Sequence, residues 1–156
     1  MTAEIIFMQA ALEQAKCAVQ ADEVPIGAVL VDIASGEIAA RAFNRTVTLS
    51  DPTAHAEILA IREVCQRVGA QRIPEYDLYV TLEPCPMCAA AISFARIRRV
   101  IYGADDPKSG GLSAGPCLYN HAQLHHKPEV VSGVLAAESA MLLQDFFKTK
   151  RHKNNG

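Results

Sequence analysis

The chain contains no tryptophan and only 6% aromatic residues, so stacking on a planar ligand has to come from a few rings or from apolar side chains. It contains no apolar run near the roughly 20 residues that cross a bilayer, which excludes an integral helical membrane protein. Met1-Thr2-Ala3-Glu4 places no basic stretch ahead of an apolar one, so no secretory signal is expected. Internal repeats, low-complexity tracts and interdomain linkers are also missing. With 156 residues, 50% of them apolar and 21% charged, the expectation is a single domain over 1–156 that buries a core without disulfide staples. The five cysteines (Cys17, Cys65, Cys85, Cys88 and Cys117) are an odd number, which argues for a reducing, cytoplasmic setting. Cys17 and Cys65 then read as small core hydrophobes.

A net charge of −2 gives no global argument for a nucleic-acid partner, and the distribution of charge says more. Lys148, Lys150, Arg151 and Lys153 form a basic end from about residue 148, and Arg96, Arg98 and Arg99 form a second basic group. Composition alone is satisfied by solubility and helix-dipole compensation in both places.

Ile5, Met8, Leu12, Ala15 and Val19 recur at helical spacing and predict an amphipathic helix over 3–20, ended by Val24-Pro25. The continuous apolar run from Ile26 to Val31 predicts a central strand. Ala34-Ser35-Gly36 turns the chain into a second strand, Ile38 to Asn44, giving a hairpin. A helix starts near Ala54 or His55, with Ile58, Ile61, Cys65 and Val68 on one face and Gly69 as its stop. Asp77 to Leu82 is a third strand. Pro84 and Pro86 are tolerated only in the first turn of a helix, so the next helix runs from about Pro86 to Ala95. Arg99 to Tyr102 is a fourth strand closed by Gly103, and Glu129 to Ser132 is a short fifth after a long irregular connector. Leu135 to Lys150 is a final helix carrying Leu142, Leu143, Phe146 and Phe147. This order predicts an α/β fold, a three-layer α/β/α sandwich around a mixed five-stranded sheet, with a connector long enough to make the last two strands parallel.

Cys85-Pro86-Met87-Cys88 offers two thiolates one helical turn apart. A lone C-x-x-C is open to three readings: a redox pair, half of a structural zinc site, or chance. A closed structural site needs two further ligands; no second C-x-x-C is present, and the one H-x-x-x-H, His121 to His125, lies in the irregular connector and is expected on the loop surface. His55-Ala56-Glu57 upstream changes the balance. Both stretches fall at helix starts that follow extended segments, and two such starts can converge with their positive ends toward thiolates. His55, Cys85 and Cys88 then make three ligands for one Zn²⁺, leaving a fourth position for water. Glu57 cannot easily ligate the metal that His55 binds, but it can hydrogen-bond that water. The plainer readings are a helix cap for His55 and a favourable first-turn carboxylate for Glu57.

H-A-E followed by P-C-x-x-C resembles the zinc-dependent cytidine deaminase-like superfamily. Within it the chain is most similar to the bacterial tRNA-specific adenosine deaminases, from its first helix to its last. The residues that carry the resemblance include Glu23 to Val29, Asn44-Arg45, Asp51 to Ile58, Thr81 to Cys85, Arg96-Ile97, Gly103 to Gly110 and Asp145-Phe146-Phe147. The resemblance implies hydrolytic deamination of adenosine to inosine at the wobble position of a tRNA anticodon, with the anticodon stem-loop as partner and a homodimer as the working form. It makes Glu57 the group that moves protons from the water to the ring nitrogen and the departing amine. Asn44 resembles the family's base-reading asparagine, and the Ala56 N–H, at a helix start, is a partner for the same base.

Substrate choice rests on weaker features. Asp106 resembles a family residue facing a flipped nucleotide, whereas Asp-Pro-Lys-Ser-Gly is also good turn chemistry. The basic end can meet backbone phosphates or serve as a solvated helix terminus. His121, His125 and His126 are expected on the loop surface, with substrate contact open for His121 and Asn120. Glu83 is a candidate for orienting backbone or ligands. Two rival readings remain: a free-base guanine or cytosine deaminase with the same zinc chemistry, and a non-catalytic, zinc-stabilised RNA-binding module. The second gives Glu57 no reason to accompany the site.

Overall fold

Side-chain alternation along the inner strands divides the apolar residues between two helical layers. The computed structural model describes residues 1–154, so the last two residues of the expected domain lie outside the described residues. In β1 (Gly27–Asp32), Ala28 and Leu30 join one cluster while Val29 and Val31 join the other. β3 (Tyr76–Leu82) repeats the division with Leu78 and Val80 against Tyr79, and β4 (Arg99–Ala104) with Val100 and Tyr102 against Ile101. On one side, α1 (Ala3–Gln20) packs through Met8 and Ala11. On the other, α2 (Ala56–Val68) and α3 (Pro86–Phe94) pack through Ala56, Ala60, Val64 and Ile92. α4 (Ala136–Asn154) lies against β4, β3 and α1, completing three layers.

With β2 (Glu37–Phe43) and β5 (Glu129–Val131), the sheet order is β2-β1-β3-β4-β5. β1 is antiparallel to both neighbours, and β3, β4 and β5 run parallel, as the connector length allowed. Five of the six residues of β1 are buried, which is the reason its sequence is apolar without alternation.

Several expected faces are rotated. The buried stripe of α1 is Met8, Ala11, Leu12, Ala15 and Ala18, while Val19 is exposed and Ile5 half-buried. Close approach is the cause: a Cβ on Gly27 would overlap the α1 backbone at Ala11 and lie 2.5 Å from Ala15 N, so the seam takes alanines. In α2 the buried residues are Ala56, Glu57, Ala60 and Val64; Ile61 and Cys65 are only half-buried and Val68 is exposed. An apolar count misses this face because a carboxylate stands in it. Cys65 is half-buried and packs against the core, whereas Cys17 is half-buried outside both core clusters. Gly103 does not close β4; it lets α4 approach, since a Cβ there would come 2.5 Å from Ser139 Oγ and 2.6 Å from Thr81 O. α4 buries only Ser139, and its Phe147 is exposed.

Glu23, just after α1, is 1% exposed and accepts from Val47 N at 3.2 Å and Thr48 N at 2.6 Å, pinning the turn that follows Asn44. Burial pushes its carboxyl up, but the bonds from Thr48 and Val47 outweigh that and hold it below the usual range. A folded value below the unfolded one means stability present above about pH 4.3 and lost as pH falls through the folded value. Glu23→Gln should therefore cost about 1.5–3 kcal/mol at pH 7. It should also flatten the acid limb of a plot of unfolding free energy against pH, and an unchanged limb would assign that limb to other carboxylates.

Candidate active site

Two chain turns meet at the carboxyl end of β3. After Leu82 the chain passes through Glu83-Pro84-Cys85 into α3, whose first residue Pro86 needs no intrahelical N–H acceptor. The loop after β2 enters α2 at His55. Cys85 and His55 both occupy helix N-cap positions with extended backbone (φ −69°, ψ 170° and φ −72°, ψ 153°). Neither side chain makes a capping hydrogen bond, in contrast with Thr2 at the start of α1, which accepts from Ile5 N. The plain reading of His55 as a cap is thereby removed.

The side chains released from capping face one another. His55 Nδ1 lies 3.5 Å from Cys85 Sγ and 3.5 Å from Cys88 Sγ, and the three donor atoms lie within 4.8 Å of each other. One ring nitrogen has one proton or one lone pair, so equal approach to two sulphurs is the arrangement of ligands around a shared centre. Tetrahedral zinc with Zn–N near 2.1 Å and Zn–S near 2.3 Å holds N and S about 3.6 Å apart, so the donor set fits zinc. Three protein donors are the number found in open sites.

The chain's own charges prepare this set. Cys85 is held well below the ordinary thiol range, at about 4, chiefly by a hydrogen bond from the Cys88 thiol and, against burial, by His55. Cys88 is pushed up correspondingly by Cys85 and by burial, so a divalent cation must displace its proton. His55 is raised by its contact with Cys85. Glu57, the second residue of α2, is 4% exposed, and burial raises its carboxyl to about 7 against the pull of its own N–H, His55 and Cys88. A carboxyl at that value exists in both protonation states near neutrality.

A groove of about 940 Å³ opens beside Leu82, three residues before Cys85; of the expected substrate residues Asp106 lines it, while His55, Glu57, Cys85 and Cys88 do not. Leu82, Ala104 and the loop Asp105 to Ser109 form one side of the groove, and Phe147, Lys150 and Arg151 of α4 form the other. Asp106 lines it, but its Oδ1 accepts from Lys108 N at 3.2 Å and Ser109 N at 3.1 Å, the turn chemistry that its sequence also allowed. Asn44 is 5% exposed and tied to Ile26 O by its N–H and to Val24 O by its side-chain amide, and both Val24 and Ile26 line the groove. Ala56 is the first residue of α2, where an N–H has no intrahelical acceptor.

Other charged and histidine residues stand apart from this centre. Arg98 and Arg99 both pair with Asp77, at 2.6 and 3.1 Å, at the end of β3 away from Cys85. Lys150 pairs with Asp22 at 2.8 Å, so one cation of the basic end is already engaged. His126 is half-buried rather than on the surface: its Nε2 meets Ile97 O at 2.6 Å, and its own carbonyl accepts from Ser93 Oγ at 2.5 Å. His121 is exposed and contacts Pro116 O at 2.9 Å. Tyr119 and Ser113 were not singled out from sequence. Tyr119 donates to Ala89 O at 2.9 Å and Ser113 Oγ to Glu83 at 2.8 Å, and contacts across 30 residues leave no local pattern to read.

The model of the cytidine and deoxycytidylate deaminase zinc-binding region matches residues 1–104. A tRNA-specific adenosine deaminase of Agrobacterium fabrum is 55% identical over 145 residues, covering 93% of this chain and 94% of its own. The Bacillus subtilis protein of the same name is 46% identical, covering 98% of this chain and 94% of its own. A solved structure from work on A-to-I editing by tRNA:A34 deaminases superposes with a TM-score of 0.85 at 55% identity, over 88% of this chain and 99% of the other. A fold, a donor set and a sequence that agree over this length have one conclusion: the chain belongs to the zinc-dependent cytidine deaminase superfamily and, within it, to the tRNA-specific adenosine deaminase family.

Proposed function

We propose that this chain hydrolyses the wobble adenosine of a tRNA anticodon to inosine, releasing ammonia. The observation that carries the reading is the meeting of His55, Cys85 and Cys88 beside a buried carboxyl at about 7, since a closed structural site has no use for Glu57. The substrate reading is supported by the family and by the groove that Lys108 and Arg151 line with no ion pair among the described residues. Residues 1–156 act as one deaminase domain, a cytoplasmic homodimer. The reducing setting is supported by five unpaired cysteines, and the dimer by exposed Val47, Leu49, Met87 and Phe94 on the segments flanking His55 and Cys85.

Zinc held by His55, Cys85 and Cys88 supplies the Lewis acidity that brings a water's proton within reach of a base at neutral pH. Glu57 takes that proton and passes it to the purine ring nitrogen; it then takes the second proton, from the hydroxyl now on C6, and delivers it to the amine as the C6–N bond breaks, ending in the state in which it began. A carboxyl raised to about 7 by burial does this with little bias in either direction. Asn44 offers the purine edge a donor and an acceptor on one amide, and the Ala56 N–H adds a second donor. Asp106 holds the loop that walls the groove, and Lys108 and Arg151 meet backbone phosphates.

Glu57→Ala should keep one zinc per chain by elemental analysis while turnover falls at least about 100-fold, the scale of losing general acid/base catalysis. Near-parental turnover would sink the assignment. Cys88→Ala should instead purify without stoichiometric zinc. Incubation with an anticodon stem-loop, free guanine and free cytosine should yield inosine in the stem-loop only; ammonia from a free base would transfer the reading to a free-base deaminase. Stem-loop affinity should fall with salt, and Arg151→Ala should reduce the slope of log K against log salt by about 0.7–0.9.

A further inference from the structure

Glu83 takes no part in the proton relay, yet it stands between Leu82, which lines the groove, and Pro84-Cys85, which opens the metal turn. It is 2% exposed. Among the described residues no cation pairs with it; its oxygens are filled by N–H and O–H groups of one loop. Oε1 accepts from Asp106 N at 3.0 Å and from Ser113 Oγ at 2.8 Å. Oε2 accepts from Leu112 N at 3.0 Å and Ser113 N at 3.0 Å. The main chain adds two ties across the same seam, Glu83 N to Ala104 O at 2.8 Å and Gly111 N to Pro84 O at 2.8 Å.

The loop's glycines fit this contact. A Cβ on Gly110 would overlap the Glu83 carboxylate, and one on Gly111 would come 3.0 Å from Pro86 N and Cα. A buried carboxylate without a counter-ion is a costly way to fill space, and an apolar side chain would pack the same turn without needing four donors. What the carboxylate adds is direction. It fixes the start of the loop at Asp106 and its end at Leu112 and Ser113, and the stretch that begins there, Asp106 to Ser109, lines the groove.

We infer that Glu83 is a positioning residue for the deamination: it locks the loop from Asp106 to Ser113 onto the Pro84–Cys88 turn, setting the nucleotide's wall at a fixed distance from the zinc ligands and Glu57. The inference rests on the reading above only in taking the groove as the nucleotide's place. Position matters on this scale because a displacement of about 1 Å in a bound substrate is enough to cost about 100-fold in rate.

The test is Glu83→Gln, which keeps the shape but turns one acceptor into an NH₂ facing N–H donors. On zinc-loaded protein, amide hydrogen exchange is read residue by residue, beside zinc content, stem-loop affinity and single-turnover deamination. Exchange at Asp106, Leu112 and Ser113 should rise at least tenfold, while α1 and β1 stay unchanged and one zinc per chain is kept. The single-turnover rate should fall at least tenfold with affinity within threefold of the parent, a split that a general loss of stability does not produce. A parent-like rate despite faster loop exchange would reduce Glu83 to holding the loop and overturn the positioning role. Unchanged loop exchange would overturn the clamp itself. If Glu83→Gln does not fold, Ser113→Ala removes one of the four bonds and must still slow the single-turnover step at least threefold; a parental rate there overturns the inference. If the parent leaves the stem-loop unchanged, the substrate reading fails instead. The rate comparison then moves to whichever free base is deaminated, and the exchange comparison stands by itself.

Discussion

The structure depends on two helix N-termini brought to one point by the sheet, with side chains in the cap positions that do not cap. β3 delivers Cys85 to the start of α3, and the loop after β2 delivers His55 to the start of α2. At an ordinary helix start a serine or aspartate satisfies the exposed N–H groups, and its side chain is committed to its own helix. Histidine and cysteine leave theirs uncommitted, 3.5 Å apart and with the positive ends of two helices behind them. Pro86 at the first position of α3 removes one N–H that would otherwise need a partner. The ligand set, its thiolate character and the closeness of Glu57 all follow from this meeting.

Three buried glutamates show how one side chain is given different tasks by its neighbours. Glu57, Glu23 and Glu83 are 4%, 1% and 2% exposed. Burial pushes all three carboxyls up, and the supply of donors, together with the Cys85 charge beside Glu57, separates them. Glu23 and Glu83 are filled by N–H and O–H groups of a single loop each, end up below the usual range and stay charged. Glu57 has little besides its own N–H and the ligands beside it, and rests near 7. The first two hold the loops that flank the site; the third is left free to exchange a proton.

Charge at the surface divides in the same way. The Arg98 and Arg99 group serves Asp77 inside the fold, and Lys150 serves Asp22. Lys108 and Arg151 both line the groove and pair with no carboxylate among the described residues. Counting cations along the sequence finds both groups; only their partners tell them apart.

Legibility followed the range over which each signal acts. Turn residues, prolines and runs of β-branched residues act over a few positions, and they placed the elements and the helix starts near His55 and Cys85, while the length of the last connector allowed the parallel β4–β5 pair. The candidate donor set was legible because few residue types bind zinc and because His55-Ala56-Glu57 and Cys85 to Cys88 each carry their geometry locally. The rotated face of α1 was not, since it depends on Gly27 admitting a helix backbone 12 to 16 residues away. Nor was the inward face of α2, where a carboxylate occupies a core position. The sequence by itself determined the chemistry available to this protein, because donor atoms and acid groups are properties of residues. Which carboxyl rests near neutrality, which loop is clamped and which cations have no ion pair among the described residues could come only from the folded chain, because burial and hydrogen bonding are set by segments distant in the sequence.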